Sequence, residues 1–539
     1  MSNRFVSVLR QPDAVFSATE KSPFRFEERE TATADVKFDY IVTGNSAKIM
    51  VYPSGSPVKY IKLRFRGDMR IDSVYGDGWE RCCDGYLFEW KSVMPQRALG
   101  WFCYVKSGDR IGCYGVKTGA DCFAFWQVDL HGVTLFLNLC NANGGTDLKE
   151  PLLACEVVQH FGEEGEDAYR VAKRFSALLC DAPVLPKEPI FGTNNWYWAY
   201  GKISAKSIRE ETDYLMELCG GTKHRPYMII DDGWQTNRTY GTGSYNGGPW
   251  VENSRFSSMQ ATAEDIRTRG AKAGIWFRPL LTLGDVPEEA KLVVWAGGVI
   301  LDPTHPYTLE YVENTAKMIH GWGYDLIKHD FSTMDITGVS PLSPDLHTAT
   351  MCKGDRRFFD KTVTLATAIK RLYSAIQRGA GDADVIGCNT VSHLTAGIHS
   401  IYRTGNDTSG NHFELTKRHG PNSMMRLPLN DTLYRVDPDC AAFTDRVDTD
   451  LNLDYLEMCA LTGVTTLASI TPHILDSRAA ERINGIFRIA DEGKERYGIA
   501  DYSTNACPET FVSEDCARSV SYDWTRAYDG SRVVISWDD

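Results

Sequence analysis

Between residue 187 and about residue 475 the chain repeats one texture eight times: a short apolar run, a polar loop, then a helix-forming stretch. The apolar runs at Gly192–Trp196, Tyr227–Asp231, Ala273–Phe277, Leu326–Asp330, Val385–Cys388, Ile401–Arg403, Leu433–Val436 and Val464–Ser469 predict strands. Helices are expected between them, for example over Ser204–Leu218, Ala261–Gly270, Tyr307–Gly321 and Phe359–Arg378. Strands alternating with helices need crossover connections, which make neighbouring strands parallel. Eight such units predict a central (β/α)8 TIM barrel.

The flanks read differently. From about Phe24 to Val158 the pattern is short alternating segments such as Ala47–Tyr52 and Val133–Asn138, separated by Gly, Asp and Ser, as in an antiparallel β-sandwich. A helix-like connector over Glu166–Leu179 leads into Asp181-Ala182-Pro183-Val184-Leu185-Pro186, a proline-marked boundary. Past about Ala500, pieces such as Arg532–Trp537 predict a small C-terminal β domain. A chain of 539 residues exceeds one ordinary core. The expected division is 1–185 for the sandwich, 186–497 for the barrel and 498–539 for the β appendage.

A net charge of −13 argues against nucleic acid and anionic membranes as partners, since both select basic surfaces. No stretch approaches the roughly 20 apolar residues of a membrane span, and Met1–Arg10 lacks the apolar core of a signal peptide. Fifteen cysteines without a CxxC pair predict mostly free, buried thiols in a reducing compartment, hence a cytoplasmic location. The 12 histidines show no HExxH motif or close pairing, so neither a metal nor a cofactor is expected. Gly241–Gly247 misses the spacing of a dinucleotide fingerprint and reads as a flexible loop. Homo-oligomerisation stays open.

Barrel enzymes carry their chemistry at the C-terminal ends of the strands. Here those ends read Asp231-Asp232-Gly233-Trp234, Lys328-His329-Asp330, Arg403-Thr404-Gly405-Asn406-Asp407 and Asp437-Pro438-Asp439. Acidic ends accompanied by Trp196, Trp198, Trp234, Trp250 and Trp276 suit a sugar, because carboxylates accept hydroxyl hydrogen bonds and indole faces cover a pyranose ring. Glycoside hydrolysis commonly needs two carboxylates, and Asp330 and Asp407 are the candidate pair. Lys328 shares a strand face with Asp330 and is expected to keep it ionised and nucleophilic. Partial burial is expected to hold Asp407 protonated as the acid. Arg403 is suited to bind a hydroxyl or orient a carboxylate.

Each residue also has a plainer reading. An Asp at a strand end caps a helix more often than it catalyses. Asp437-Pro438-Asp439 reads equally as a turn. Trp196 and Trp198, at i and i+2 on one strand face, fit barrel packing as well as sugar stacking. His329 faces away from Asp330 and is expected to be structural.

Several segments, taken in order, resemble the α-galactosidase-like retaining glycosidases of clan D. The likeness is to glycoside hydrolase family 36, near its raffinose synthase branch, and it spans residues 191 to about 475. Asn194-Asn195-Trp196 resembles the first-strand motif, and Ile230-Asp231-Asp232-Gly233-Trp234-Gln235 the DDGW signature, with Gln as in the synthase branch. Trp250, Phe256, Met259, Gly270 and Gly274-Ile275-Trp276-Phe277-Arg278-Pro279 follow the pattern from the second loop to the third strand. Leu301-Asp302-Pro303 and Gly323–Asp330 match the run into the KxD nucleophile, and Arg403-Thr404-Gly405-Asn406-Asp407 has the RxxxD spacing of the acid/base segment.

The resemblance implies double displacement with retention, Asp330 as nucleophile and Asp407 as acid/base. Asp231 and Asp232 would hold hydroxyls of a galactose-type sugar, with Trp196, Trp234, Trp276, Lys328, Ser332, Cys388 and Arg403 completing the subsite. The implied partner is an oligosaccharide or glycoconjugate. Three positions depart from the family pattern: Ser332 stands in place of Asn, Arg278 in place of Glu, and Gly387-Cys388-Asn389-Thr390 in place of a glycine-rich loop. A 2-acetamido or 6-substituted sugar therefore stays open. So do transglycosylation and a non-catalytic sugar-binding role.

Overall fold

The computed structural model describes residues 5–21, 25–28, 36–81, 90–91, 98–241, 243–339, 351–353, 356–494 and 497–527. Its centre is a nine-stranded, all-parallel sheet that curves into a TIM-like barrel. In barrel order the first six strands are Phe191–Asn194, Tyr227–Ile230, Lys272–Phe277, Leu326–His329, Asp384–Gly387 and Ile401–Arg403. The seventh is split: Arg435–Asp437 pairs with the sixth, and Ala441–Phe443 pairs with the last strand, Thr466–Ile470. Asp439 at the break has φ of 76°. The amide of Thr465 donates to Val436 O at 2.9 Å, which ties the seventh position to the strand that follows it.

The strand residues are buried on both faces, as parallel barrel strands must be. Tyr227-Met228-Ile229-Ile230 has side chains bulky enough to fill both the barrel interior and the layer beneath the helices. Outer helices include Ala205–Leu218, Met259–Thr268, Pro306–Gly321 and Leu365–Ala380. Ser204, Ser258 and Thr364 begin three of them by accepting from the amide three residues on.

The expected strands and helices thus lie where the alternation puts them, with shifted ends. One local expectation fails. Trp196 and Trp198 are not strand neighbours but lie in a short helix, Trp196–Ala199, because Asn194 Oδ1 accepts from the Trp196 amide at 2.9 Å and turns the chain out of the sheet.

Upstream, eleven strands form two antiparallel sheets. Five of them (Ala14–Thr19, Arg25–Glu28, Val58–Arg66, Phe123–Asp129, Gly132–Asn138) make one sheet and six (Lys37–Thr43, Ser46–Tyr52, Ser73–Gly76, Phe102–Ser107, Arg110–Val116, Leu152–Phe161) the other. Helix Ala168–Ser176 falls within the expected connector. Near the other end, Tyr497–Ile499, Thr510–Ser513 and Ser519–Ser521 form a three-stranded antiparallel sheet, while the strand expected at 532–537 lies outside the described residues.

What positions the site is the seam between the first sheets and the barrel. After strand Ser73–Gly76 the segment Asp77–Arg81 runs over the ends of the fifth and sixth barrel strands. Arg426 forms a fully buried ion pair with Asp77 and donates to the Thr404 and Arg81 carbonyls at 2.6 and 2.8 Å. The Ser392 amide donates to Trp79 O at 2.6 Å, and Trp79 Nε1 donates to Ala124 O at 2.7 Å. Among the described residues no helix is long and apolar enough to cross a membrane, and all thirteen cysteines are free thiols, eleven of them buried.

Candidate active site

The strand ends bring the candidate residues into two groups. The first rests on the first four strands. Asp330 directly follows strand Leu326–His329. Its Oδ2 accepts from Trp276 Nε1 at 3.2 Å and its Oδ1 from the Phe331 amide at 2.7 Å. Phe331 takes a left-handed backbone, φ 65°, to aim that amide, a conformation uncommon for an aromatic residue and typical of functional strain.

Lys328 does share a face with Asp330, yet its ammonium pairs with a different carboxylate. Lys328 Nζ donates to Asp231 Oδ2 at 2.7 Å, and Asn194 Nδ2 reaches the same oxygen at 2.7 Å. The long lysine stem carries its charge across to the end of the second strand. Burial is the largest single influence and opposes that charge, but Asp231, Cys388 and Asp330 together outweigh it and hold the ammonium well above its ordinary value.

Asp232 points beside Asp231. It accepts from Gln235 Nε2 at 2.7 Å and pairs with Arg238 Nε at 2.8 Å. Burial nevertheless pushes its carboxyl up to about 6, against the pull of Arg238 and Gln235. Gly233, at φ 119°, is required in this turn: a Cβ there would meet the Gly201 carbonyl oxygen at 2.5 Å. Trp234 is fully buried and gives its indole N–H to Trp276 O at 2.9 Å. It therefore supports the third strand.

The second group gathers on the later strands. Arg403, buried, donates to Asp407 Oδ1 at 3.0 Å, approaches Cys388 Sγ at 3.7 Å and pairs closely with Asp439. Asp439 Oδ2 also accepts from the Thr408 amide at 2.9 Å and from the Tyr197 hydroxyl. The acidic seventh-strand end thus anchors Arg403 and the loop that carries Asp407, and is neither a bare turn nor a further open carboxylate. Gly405 lets the loop pass His419, whose carbonyl oxygen would lie 1.9 Å from a Cβ.

Asp407 departs from expectation. Its side chain is 51% exposed, and Arg81 Nη1 donates to its Oδ1 at 2.6 Å. Desolvation works to raise the carboxyl, but Arg81, Arg403 and Lys328 outweigh it and hold Asp407 well below the usual carboxylate range. Partial burial does not keep it protonated; the cations around it favour the anion.

The remaining expected residues divide the same way. Trp196 is partly exposed at the rim. Ser332 is buried, with its hydroxyl donating to Asn389 O at 3.1 Å. Burial raises the thiol of Cys388. Arg278 is turned inward, where Nε donates to Asp335 Oδ2 at 2.9 Å and Nη1 to Asn246 Oδ1 at 2.5 Å. His329, as expected, faces the helices against Tyr373 and His399, and burial pushes it down to about 3. Among the described residues no three His, Cys, Asp or Glu side chains gather as metal ligands.

Sequence reasoning missed Arg81, Glu80 and Arg238. Glu80 is buried and accepts from Asn389 Nδ2, joining the first sheets to the fifth-strand loop. No spacing rule links residue 81 to residue 407. The one hint is the run Asp77-Gly78-Trp79-Glu80-Arg81, charged yet carrying a tryptophan.

This is the fold of the α-galactosidases, and part of the sequence is similar to them as well. An α-galactosidase of Thermus thermophilus, solved with p-nitrophenyl α-D-galactopyranoside, superposes with a TM-score of 0.59 at 16% identity, over 90% of this chain and 99% of that one. The family 36 α-galactosidase AgaA of Geobacillus stearothermophilus gives 0.57 at 12% identity, over 94% and 80%. In sequence, α-galactosidase 2 of Arabidopsis thaliana is 24% identical over 193 residues, 35% of this chain and 43% of that protein. An α-galactosidase of Oryza sativa subsp. japonica is 26% identical over 148 residues, so the chain spans less than half the length of these curated relatives. No protein-family model matches the chain.

Proposed function

We propose that the chain is a retaining glycosidase that removes terminal α-linked galactose-type sugars from oligosaccharides or glycoconjugates. The observation that carries this reading is that two differently held carboxylates, Asp330 and Asp407, stand past strand ends of an α-galactosidase fold. Asp330 is held by neutral donors, and Asp407 by guanidiniums.

In the first step Asp330 attacks the anomeric carbon as the glycosidic C–O bond breaks, and the departing oxygen takes a proton from Asp407. In the second, water gives a proton to Asp407 and attacks the same carbon, which releases Asp330. Asp231 and Asp232, each already holding a cation, would accept sugar hydroxyls, and Trp276 orients the nucleophile. Trp234 and Ser332 act through the residues they hold. Gln235, the residue shared with the synthase branch, is buried behind Asp232, and nothing about its position favours an acceptor sugar over water.

The same reading takes the two N-terminal sheets as a β-sandwich, divides the chain at about residues 185 and 497, and places the protein in the cytoplasm, consistent with its free thiols. A panel of α- and β-nitrophenyl glycosides of galactose, N-acetylgalactosamine, glucose and arabinose tests it, with Asp330→Asn alongside. Turnover of one α-glycoside that disappears in the variant is expected. Turnover that persists in Asp330→Asn removes the nucleophile assignment.

A further inference from the structure

Of the described cations that act most strongly on Asp407, Arg403 and Lys328 belong to the barrel and Arg81 does not. Arg81 ends the segment Asp77–Arg81, which is pinned to the barrel by the buried Asp77–Arg426 pair, by Asn389 on Glu80 and by the Ser392 amide on Trp79 O. A guanidinium on so fixed a backbone loses little freedom on making its contact. Arg81 and Arg403 both donate to Oδ1 of Asp407, at 2.6 and 3.0 Å, and no described residue donates to Oδ2.

We infer that Arg81 is a positioning residue of the glycosyl-transfer step: reaching in from the N-terminal sheets, it fixes Asp407 by Oδ1 and leaves Oδ2 to carry the proton to the departing oxygen. The inference rests on the reading of Asp407 as the acid/base. A monodentate anchor from Arg403 alone would leave the carboxylate free to rotate. Two anchors on one oxygen set the plane of the other. The same two charges favour the anion, so they confine the protonated, acid-competent form to lower pH.

The charged and titratable groups facing Asp407 are Arg403 on its own loop, Arg81 from the N-terminal segment, Lys328 on the fourth strand, Tyr197 after the first, and His419 at the end of helix Phe413–His419. Asp439 competes for Arg403. Arg81 in turn faces Glu80, Cys388 and Asp330. Of the cations, only Arg81 can be changed without altering a barrel strand or the loop that follows it.

The test is the pH dependence of kcat/KM for the full chain, measured on raffinose, whose leaving group needs an acid, and on p-nitrophenyl α-galactoside, whose leaving group does not. Wild type, Arg81→Gln, Arg81→Lys and Asp407→Asn are compared. For raffinose the alkaline limb reports loss of the acid proton. Arg81→Gln is expected to move that limb up by about one pH unit, a roughly tenfold change in the protonated fraction, and to lower turnover at the optimum. Arg81→Lys keeps a charge but not the fixed geometry, so its limb stays near wild type while raffinose turnover falls more than that of the aryl substrate.

An unmoved limb in Arg81→Gln overturns the inference. If Arg81→Gln does not fold, equal losses on both substrates in Arg81→Lys overturn it instead. Asp407→Asn separates the two readings: wild-type raffinose turnover in that variant removes Asp407 as the acid, whereas a lost limb there with no shift in Arg81→Gln removes only the role of Arg81.

Discussion

The two walls of the site solve opposite electrostatic problems. On the wall built by the first four strands, acidic groups outnumber cations, and burial pushes Asp232 up to about 6. On the wall built by the later strands, Arg403 and Arg81 converge on one carboxylate and hold it down. The first wall keeps Asp330, the proposed nucleophile, on neutral hydrogen-bond donors. The second surrounds Asp407, the proposed acid/base, with fixed charge. Position in the barrel is therefore not enough to set a carboxylate's chemistry; what reaches it from neighbouring segments decides.

The largest effect expected is the difference between the two carboxylates. Asp330→Asn should lower kcat by on the order of 10⁴-fold or more on every substrate. Asp407→Asn should cost about 10²–10⁴-fold on raffinose and far less on an aryl galactoside, because general acid help matters only for the poor leaving group. Equal losses across substrates in Asp407→Asn would break the contrast between the walls.

Next comes the clamp behind the second wall. Arg426→Met leaves Asp77 buried without its partner, and breaking such a pair costs about 3–5 kcal/mol of stability. Urea unfolding measures that loss. Arg81 should lose its fixed place as well, so the alkaline limb on raffinose should rise in Arg426→Met as it does in Arg81→Gln. An unshifted limb would show that Arg81 holds Asp407 without the clamp.

On the first wall the expected titration runs the other way. Asp232 has a folded value near 6 against an ordinary 3.8, so its contribution to stability is complete below about 3.8 and is lost as pH rises through 6. A shift of this size amounts to about 3 kcal/mol. The anion accepts sugar hydroxyls, so galactose binding should strengthen over the same window in which stability falls. Asp232→Asn should remove both slopes, as calorimetric binding and unfolding across pH 4 to 7 would show.

The smallest change expected is in Trp276→Phe, which removes one donor to the nucleophile and should cost about 1.5 kcal/mol, or roughly tenfold in kcat/KM. A loss confined to KM would mean that Trp276 binds sugar without orienting Asp330.

The first wall was largely legible in the sequence. Asp231, Asp232, Trp276, Lys328 and Asp330 lie at strand ends within short motifs, where one backbone segment aims the side chains. Even there, the partner of Lys328 was misread, because strand periodicity gives a direction while the reach of a long side chain selects its target. Trp234 and Ser332 were placed in the right loops, but their contacts lie behind the subsite. The second wall was legible only as far as the RxxxD spacing of Arg403 and Asp407.

By itself the sequence pointed to the alternation that makes a barrel, to the acidic strand ends, and to Asp330 and Asp407 as the candidate pair. These follow from local pattern: apolar runs, capping residues and the period of two along a strand. Only the tertiary structure decided the state of Asp407. Its two guanidiniums come from positions 81 and 403, and Asp439, which shares Arg403, sits at the break in the seventh strand. Charge acts through distance in space, and the fold alone brings residue 81 within 2.6 Å of residue 407.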